Sequence, residues 1–117
     1  MLTVKSIAAT VAFYGHLGFA EVRFGAGRVA LQCGDQKLNL HESGHEFEPK
    51  ARFATPGSAD LCFRVETPLD QVIAELNAVG IPLEEGPVRR TGARGALLSV
   101  YLRDPDGNLV ELSNEVA

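Results

Sequence analysis

Glu111, Asp60 and His41 are the side chains of this sequence best suited to acid–base or metal chemistry. Each stands in a run that alternates apolar and polar residues: Leu38-Asn39-Leu40-His41, Asp60-Leu61-Cys62-Phe63-Arg64-Val65 and Leu109-Val110-Glu111-Leu112-Ser113. A period of two puts Asn39 and His41 on one face of a strand, Asp60, Cys62 and Arg64 on one face of a second, and Glu111 and Ser113 on one face of a third. A fourth run, Ser99-Val100-Tyr101-Leu102-Arg103, sets Ser99, Tyr101 and Arg103 opposite Val100 and Leu102. Two carboxylates that face one space repel unless a cation or a shared proton intervenes, so Asp60 with Glu111 is a candidate pair. The ordinary alternative for Asp60 is an ion pair with Arg64 or Arg103. His41 can ligate a metal as neutral imidazole or exchange protons near neutrality, although a lone strand histidine also serves structure. His16, in a helix, and His45, in a linker, read as surface residues.

The segment Arg89-Arg90-Thr91-Gly92-Ala93-Arg94-Gly95 concentrates three of the eleven basic residues of an acidic chain. Guanidinium groups on a glycine-containing loop suit carboxylate or phosphate recognition, and Arg89, Arg90 and Arg94 are read as a mobile lid over an anionic ligand. A solvated basic loop is the alternative. Cys62 has an acid, not a base, beside it, which argues against a nucleophilic thiolate.

These residues need a scaffold, and the sequence supplies one twice. Leu2–Val4 reads as a strand, Ser6–Leu17 as a helix, and Ala20–Phe24, Val29–Cys33 and Lys37–His41 as three further strands. Leu61–Val65, Thr67–Val79, Leu83–Val88, Leu97–Arg103 and Leu109–Ser113 repeat that βαβββ order. Ser6 and Thr67 are the expected N-caps, Pro68 takes a first helical position, and Gly18 and Gly80 supply left-handed C-caps. Ile7, Val11, Tyr14 and Leu17 form one apolar stripe, and Leu69, Val72, Ile73, Leu76 and Val79 another. Asp104-Pro105-Asp106-Gly107-Asn108 joins the last two strands with turn-forming residues. The expected fold is therefore α+β, one domain over residues 1–117. Module one covers 1–41, a linker 42–58 and module two 59–117, with curved mixed sheets that enclose a cleft.

The 117 residues suffice for one core and no second full-sized domain, and 45% hydrophobic with 22% charged residues excludes intrinsic disorder. A net charge of −4 argues against nucleic-acid binding, and the lack of a long apolar run argues against a membrane span. Without a leader pattern or a dense cysteine framework, the chain reads as cytoplasmic, with Cys33 and Cys62 reduced.

The duplicated βαβββ order, the Asp104–Asn108 turn followed by Leu109-Val110-Glu111-Leu112, and the inward acid of that last strand resemble the vicinal oxygen chelate superfamily. Gly34–Glu42, Phe47–Lys50, Pro56–Ser58 and Glu85–Val88 are similar to its small glyoxalase-domain-containing proteins. The resemblance implies a divalent metal on inward positions of the first and last strands of each module. Carried over, those positions are Glu111, Asp60 and Asn39, with His41 two residues further on the same face. The mate of Asp60 would lie two residues ahead of Met1. The implied metal set is Glu111, Asp60 and His41, oxygen-rich with one imidazole. It favours Mn, Ni, Mg or Fe(II), with Zn as a further option, and it binds weakly for want of the first-strand ligand. Glu111 and His41 would be catalytic. Asn39, Ser99, Tyr101, Arg89, Arg90 and Arg94 would hold a small, oxygenated, anionic substrate, with Ser99 and Tyr101 similar to a pair in fosfomycin-resistance proteins. The implied activity is metal-assisted stabilisation of an enolate or oxyanion in a homodimer. The alternatives are metal-free binding of the bleomycin-resistance kind and thiol transfer.

Overall fold

The computed structural model describes residues 1–116. Its elements follow the βαβββ order twice: β1 (Leu2–Val4), α1 (Ile7–His16), β2 (Ala20–Phe24), β3 (Arg28–Cys33) and β4 (Gln36–Glu42), then β5 (Asp60–Arg64), α2 (Leu69–Ala78), β6 (Glu85–Gly92), β7 (Gly95–Arg103) and β8 (Leu109–Glu115). The strands form two open, mixed four-stranded sheets, ordered β1-β4-β3-β2 and β5-β8-β7-β6. In each sheet the first strand pairs parallel with the last, and the remaining pairs are antiparallel. The chain divides into two compact units. Unit 1 holds Met1–Ala59 together with Asp104–Asn108, and unit 2 holds Asp60–Arg103 and the segment from Leu109 onward. The segment between the modules and the Asp104–Asn108 turn thus both belong to unit 1.

In unit 1, α1 packs on β2, β3 and β4. The Ser6 hydroxyl accepts from Ala9 N–H at 3.1 Å, which satisfies one of the helix's free amide donors. Tyr14 and Thr10 are buried, while Ile7, Val11 and Leu17 of the expected stripe are half-buried. The core is Leu2, Val4, Tyr14, Phe19, Val29, Leu31 and Leu40. Gly57 has φ +80°, and a Cβ there would meet Asp106 O at 2.5 Å, so only glycine lets this segment lie against the Asp104–Asn108 turn. That turn is organised by Asp104. Its Oδ1 accepts from Asp106 N–H (2.9 Å) and Asn108 N–H (3.0 Å), and its Oδ2 accepts from Tyr14 O–H (2.9 Å) and Asn108 Nδ2 (2.7 Å).

In unit 2, α2 packs on β7 and β8 through Leu69, Val72 and Leu76, above Val100, Leu102, Val110 and Leu112. Val79, expected in the buried stripe, is 46% exposed, one turn beyond the last residue that reaches the sheet. Thr67 is not the N-cap. Pro68 holds that position with ψ 139°, so the helical turn starts at Leu69. The Leu69 N–H is capped instead by Asn114 Oδ1 at 2.8 Å, and Asn114 Nδ2 donates to Val65 O and Thr67 O, both at 2.9 Å. Gly18 and Gly80 close both helices in the left-handed region, as expected, with Phe19 N–H reaching Tyr14 O and Ile81 N–H reaching Leu76 O.

The largest departure from the sequence reading is the basic segment. Arg89–Gly92 is not a loop but the second half of β6, paired as Arg89↔Leu98, Arg90↔Leu97, Thr91↔Ala96 and Gly92↔Gly95, which leaves Ala93 and Arg94 as a two-residue turn. The ladder that runs to the turn places Arg89 and Arg90 in a strand and leaves Arg94 on the hairpin turn. No helix among the described residues is long and apolar enough to cross a membrane.

Candidate functional site

Pairing registers define the polar face of unit 2. Cys62 and Tyr101 both lie opposite Glu111, and Ser99 lies opposite Ser113, so β5, β8 and β7 bring these five side chains to one face. Their apolar neighbours Val100, Leu102, Val110 and Leu112 fill the other face and anchor the strands. The Ser99 hydroxyl donates to Glu111 Oε2 at 2.7 Å, and the Ser113 hydroxyl lies 3.1 Å from that same oxygen. The two hydroxyl oxygens are 2.7 Å apart and fully buried. Two hydroxyl protons thus serve three close contacts, and Glu111 always receives at least one of them. The charge of the half-buried carboxylate is held in a fixed direction without any ion pair among these contacts. Cys62 Sγ lies 3.7 Å from Ser113 Oγ. Burial pushes the Cys62 thiol up, and the Glu111 carboxylate adds to that shift, so the sulfur stays protonated near neutrality.

Tyr101 is fixed from the opposite side. Arg90 Nε donates to the Tyr101 hydroxyl at 3.1 Å, the guanidinium lies 5.5 Å from the ring centre, and its Nη2 reaches Glu85 at 3.3 Å. With its oxygen accepting from Arg90, the phenol keeps its own proton for a further acceptor. Arg89, next along β6, points to the opposite face. Arg94, at the hairpin turn, lines an open groove of about 580 Å³ with Arg64, Val65, Glu66, Pro68, Asn114 and Glu115. Arg64 is ion-paired with Glu115 there. Asp60 begins β5 opposite Leu109, one step along the face from Cys62, and its charge acts on Arg103, which pairs with Glu84 at 2.7 Å.

Unit 1 carries Asn39 and His41. Thr3 lies opposite His41 as Arg64 lies opposite Ser113, so the registers align Leu38–His41 of the first module with Val110–Ser113 of the second. His41 is 1% exposed, and neither ring nitrogen meets a hydrogen-bond partner; the buried Asn39 Oδ1 has none either. Burial and the nearby Arg28 charge lower the pKa of His41, against an opposing contribution from Glu46. The imidazole is therefore neutral. His16 and His45 are exposed, as expected.

A divalent metal needs several gathered donors. Among the described residues no group of three or more His, Cys, Asp or Glu side chains is assembled to hold one. Of the donor set read from the sequence, Glu111 and Asp60 lie on one face of unit 2 and His41 on the sheet of unit 1. The partners that Glu111 does have, two serine hydroxyls, suit a carboxylate kept for proton transfer. Ser113, which strand alternation had placed on the face of Glu111 without a role, is a member of this site. Its pairing with Ser99 on the neighbouring strand reveals its part.

Two four-stranded βαβββ sheets, each with a polar face opposite its helix, define a class. The profile of the glyoxalase/bleomycin resistance protein/dioxygenase superfamily matches residues 1–112, and the chain belongs to that superfamily. It is 54% identical over 117 residues, 99% of this chain and 81% of the relative, to a virulence protein of Salmonella typhimurium. The crystal structure of that protein superposes with a TM-score of 0.96 over 98% of this chain and 92% of its own. A lactoylglutathione lyase from Agrobacterium tumefaciens is similar at 29% identity and a TM-score of 0.70, over 97% of this chain and 88% of its own. A bleomycin resistance determinant encoded on the transposon Tn5 is similar at 29% identity and a TM-score of 0.63, over 98% and 94%. The superfamily thus spans a lyase and a resistance determinant on one scaffold, and residues, not fold, separate their activities.

Proposed function

We propose that the chain is an enzyme that moves a proton on a small oxygenated, anionic substrate, with Glu111 as the base and Tyr101 as the hydrogen-bond donor to the oxygen that gains charge. One observation carries this reading: Glu111 and Tyr101 are direct cross-strand partners. The first is aimed by Ser99 and the second is polarised by Arg90. A carboxylate beside a phenol suits abstraction of a proton from carbon next to a carbonyl, since the phenol meets the developing enolate oxygen while the carboxylate takes the proton. The Arg90 charge favours an anionic form of the bound molecule. Of the divalent ions that the resemblance implies, any one would find two carboxylates, Glu111 and Asp60, on this face. That is fewer donors than such ions usually take, and the proposed chemistry rests on Glu111 itself.

The test is solvent exchange. Hydroxypyruvate and hydroxyacetone in D2O would be followed by proton NMR with the native chain and with Glu111→Gln. Exchange at the α-carbon should fall by about 10²–10⁴-fold in the variant. Equal exchange in both would overturn the assignment. A second reading, metal-free binding without turnover, draws on the unassembled donor set and the resistance determinant's likeness. It would show as saturable binding by both proteins with exchange by neither. A homodimer in the cytoplasm belongs to the same proposal, and a solution mass of one chain across micromolar concentrations would remove the dimer from it.

A further inference from the structure

The groove of about 580 Å³ at the C-terminal ends of the parallel strands β5 and β8 lies outside the chemistry assigned to Glu111, and neither Glu111 nor Tyr101 lines it. Its volume is in the range of small-molecule sites, roughly 300–1,000 Å³. The floor of the groove is held in place. Val65 N–H donates to Ser113 O at 2.8 Å, and Asn114 Nδ2 donates to Val65 O and Thr67 O while its Oδ1 takes the Leu69 N–H. Those bonds fix the passage from β5 into α2 and occupy the Asn114 amide, so that Val65 and Pro68 supply an apolar wall. The charged lining groups divide into two kinds. Arg64 and Glu115 are ion-paired with each other. Arg94, on the hairpin turn, and Glu66, on the connection from β5 to α2, are both exposed, and among the described residues neither side chain forms an ion pair or a hydrogen bond. An unpaired cation and an unpaired anion thus line one groove from different elements without meeting each other.

We infer that this groove binds a free α-amino acid with an apolar side chain. The Arg94 guanidinium takes the carboxylate, Glu66 takes the ammonium group, and the side chain of the ligand lies on Val65 and Pro68. A ligand with only a carboxylate would bring its charge towards Glu66 and Glu115 and leave Glu66 unmatched. A ligand with only an ammonium group would leave Arg94 unmatched. The charges of Arg64, Glu66, Arg94 and Glu115 cancel, so a zwitterion meets both unpaired groups without adding net charge to the groove. The Arg64–Glu115 pair already satisfies its own members, and the bonded floor lowers the ordering that binding requires. The groove requires nothing of Glu111, so its occupancy is read by binding alone and stands or falls apart from the proton-transfer reading.

The experiment is a titration of the 15N-labelled chain, following the backbone amides of Glu66 and Arg94 by NMR. The probes are L-leucine, L-leucinamide, 4-methylpentanoate and glycine, of which the last three lack in turn the carboxylate, the ammonium group and the apolar side chain. L-leucine should shift both amides saturably, and each of the other three should bind at least about tenfold more weakly. Arg94→Gln should weaken leucine at least about tenfold and leave leucinamide unchanged. Glu66→Gln should weaken leucine by a similar factor and leave 4-methylpentanoate unchanged. Both side chains are exposed, so the circular dichroism spectra of the variants should match that of the native chain. Amides that do not respond to leucine, equal affinities for leucine and any of the other three probes, or native leucine binding by either variant would each overturn the inference.

Discussion

Replacing Tyr14 by Phe tests how the Asp104–Asn108 turn is held. Asp104 is 5% exposed and its two oxygens accept four hydrogen bonds, of which Tyr14 O–H supplies one at 2.9 Å. The substitution deletes one oxygen and no carbon, so the ring stays edge-on to Phe13 (5.3 Å) and Phe19 (5.4 Å), and the space left is too small to count as a cavity. The loss is therefore that of a hydrogen bond to a charged, buried acceptor, about 2 kcal/mol. For 117 residues the unfolding entropy near the midpoint is about 0.25 kcal/mol per degree, so Tm should fall by about 8 °C. Urea unfolding followed by circular dichroism measures the change, with an unaltered m-value as the sign that only the native state was touched. A change below about 0.5 kcal/mol would refute the reasoning, since it would mean that the remaining three donors satisfy Asp104 in full.

Three further outcomes follow from single contacts. Asn114→Ala removes the cap on Leu69 N–H and two bonds to Val65 O and Thr67 O, and should destabilise the chain by about 1–3 kcal/mol in the same urea assay. The lowered pKa of His41 means that the unfolded chain takes up its proton first, so native stability should be constant above the ordinary value of 6.5 and fall below it. The slope reaches at most about 1.4 kcal/mol per pH unit, and it should be smaller in His41→Gln. The Glu111 carboxylate helps to keep the Cys62 thiol protonated, so Glu111→Gln should speed alkylation of Cys62 by iodoacetamide at mildly alkaline pH, counted by peptide mass; a slower reaction would contradict that coupling.

The order of elements, the glycine caps and the inward faces were all legible in the sequence, because each depends on a few neighbouring residues. Ser6 before Ile7, Gly18 and Gly80 after their helices, and the alternation through Val110-Glu111-Leu112-Ser113 report local backbone geometry. The duplication and its motifs likewise sufficed to place the chain in its superfamily. What only tertiary structure decided depends on partners far away in the chain. Arg89–Gly92 has the composition of a loop and becomes a strand because Gly95–Leu98 completes its ladder. The helix expected to start on Thr67 starts on Leu69 because Asn114, 45 residues later, supplies the acceptor. Ser113 becomes part of the site through Ser99, 14 positions away, since two buried hydroxyls must satisfy each other or the carboxylate between them. Asn39 and His41 were read correctly as sharing a face, yet their unmet hydrogen bonds could not be read at all. Whether a buried polar atom has a partner is a property of every chain segment packed around it, and no local pattern of residues encodes that.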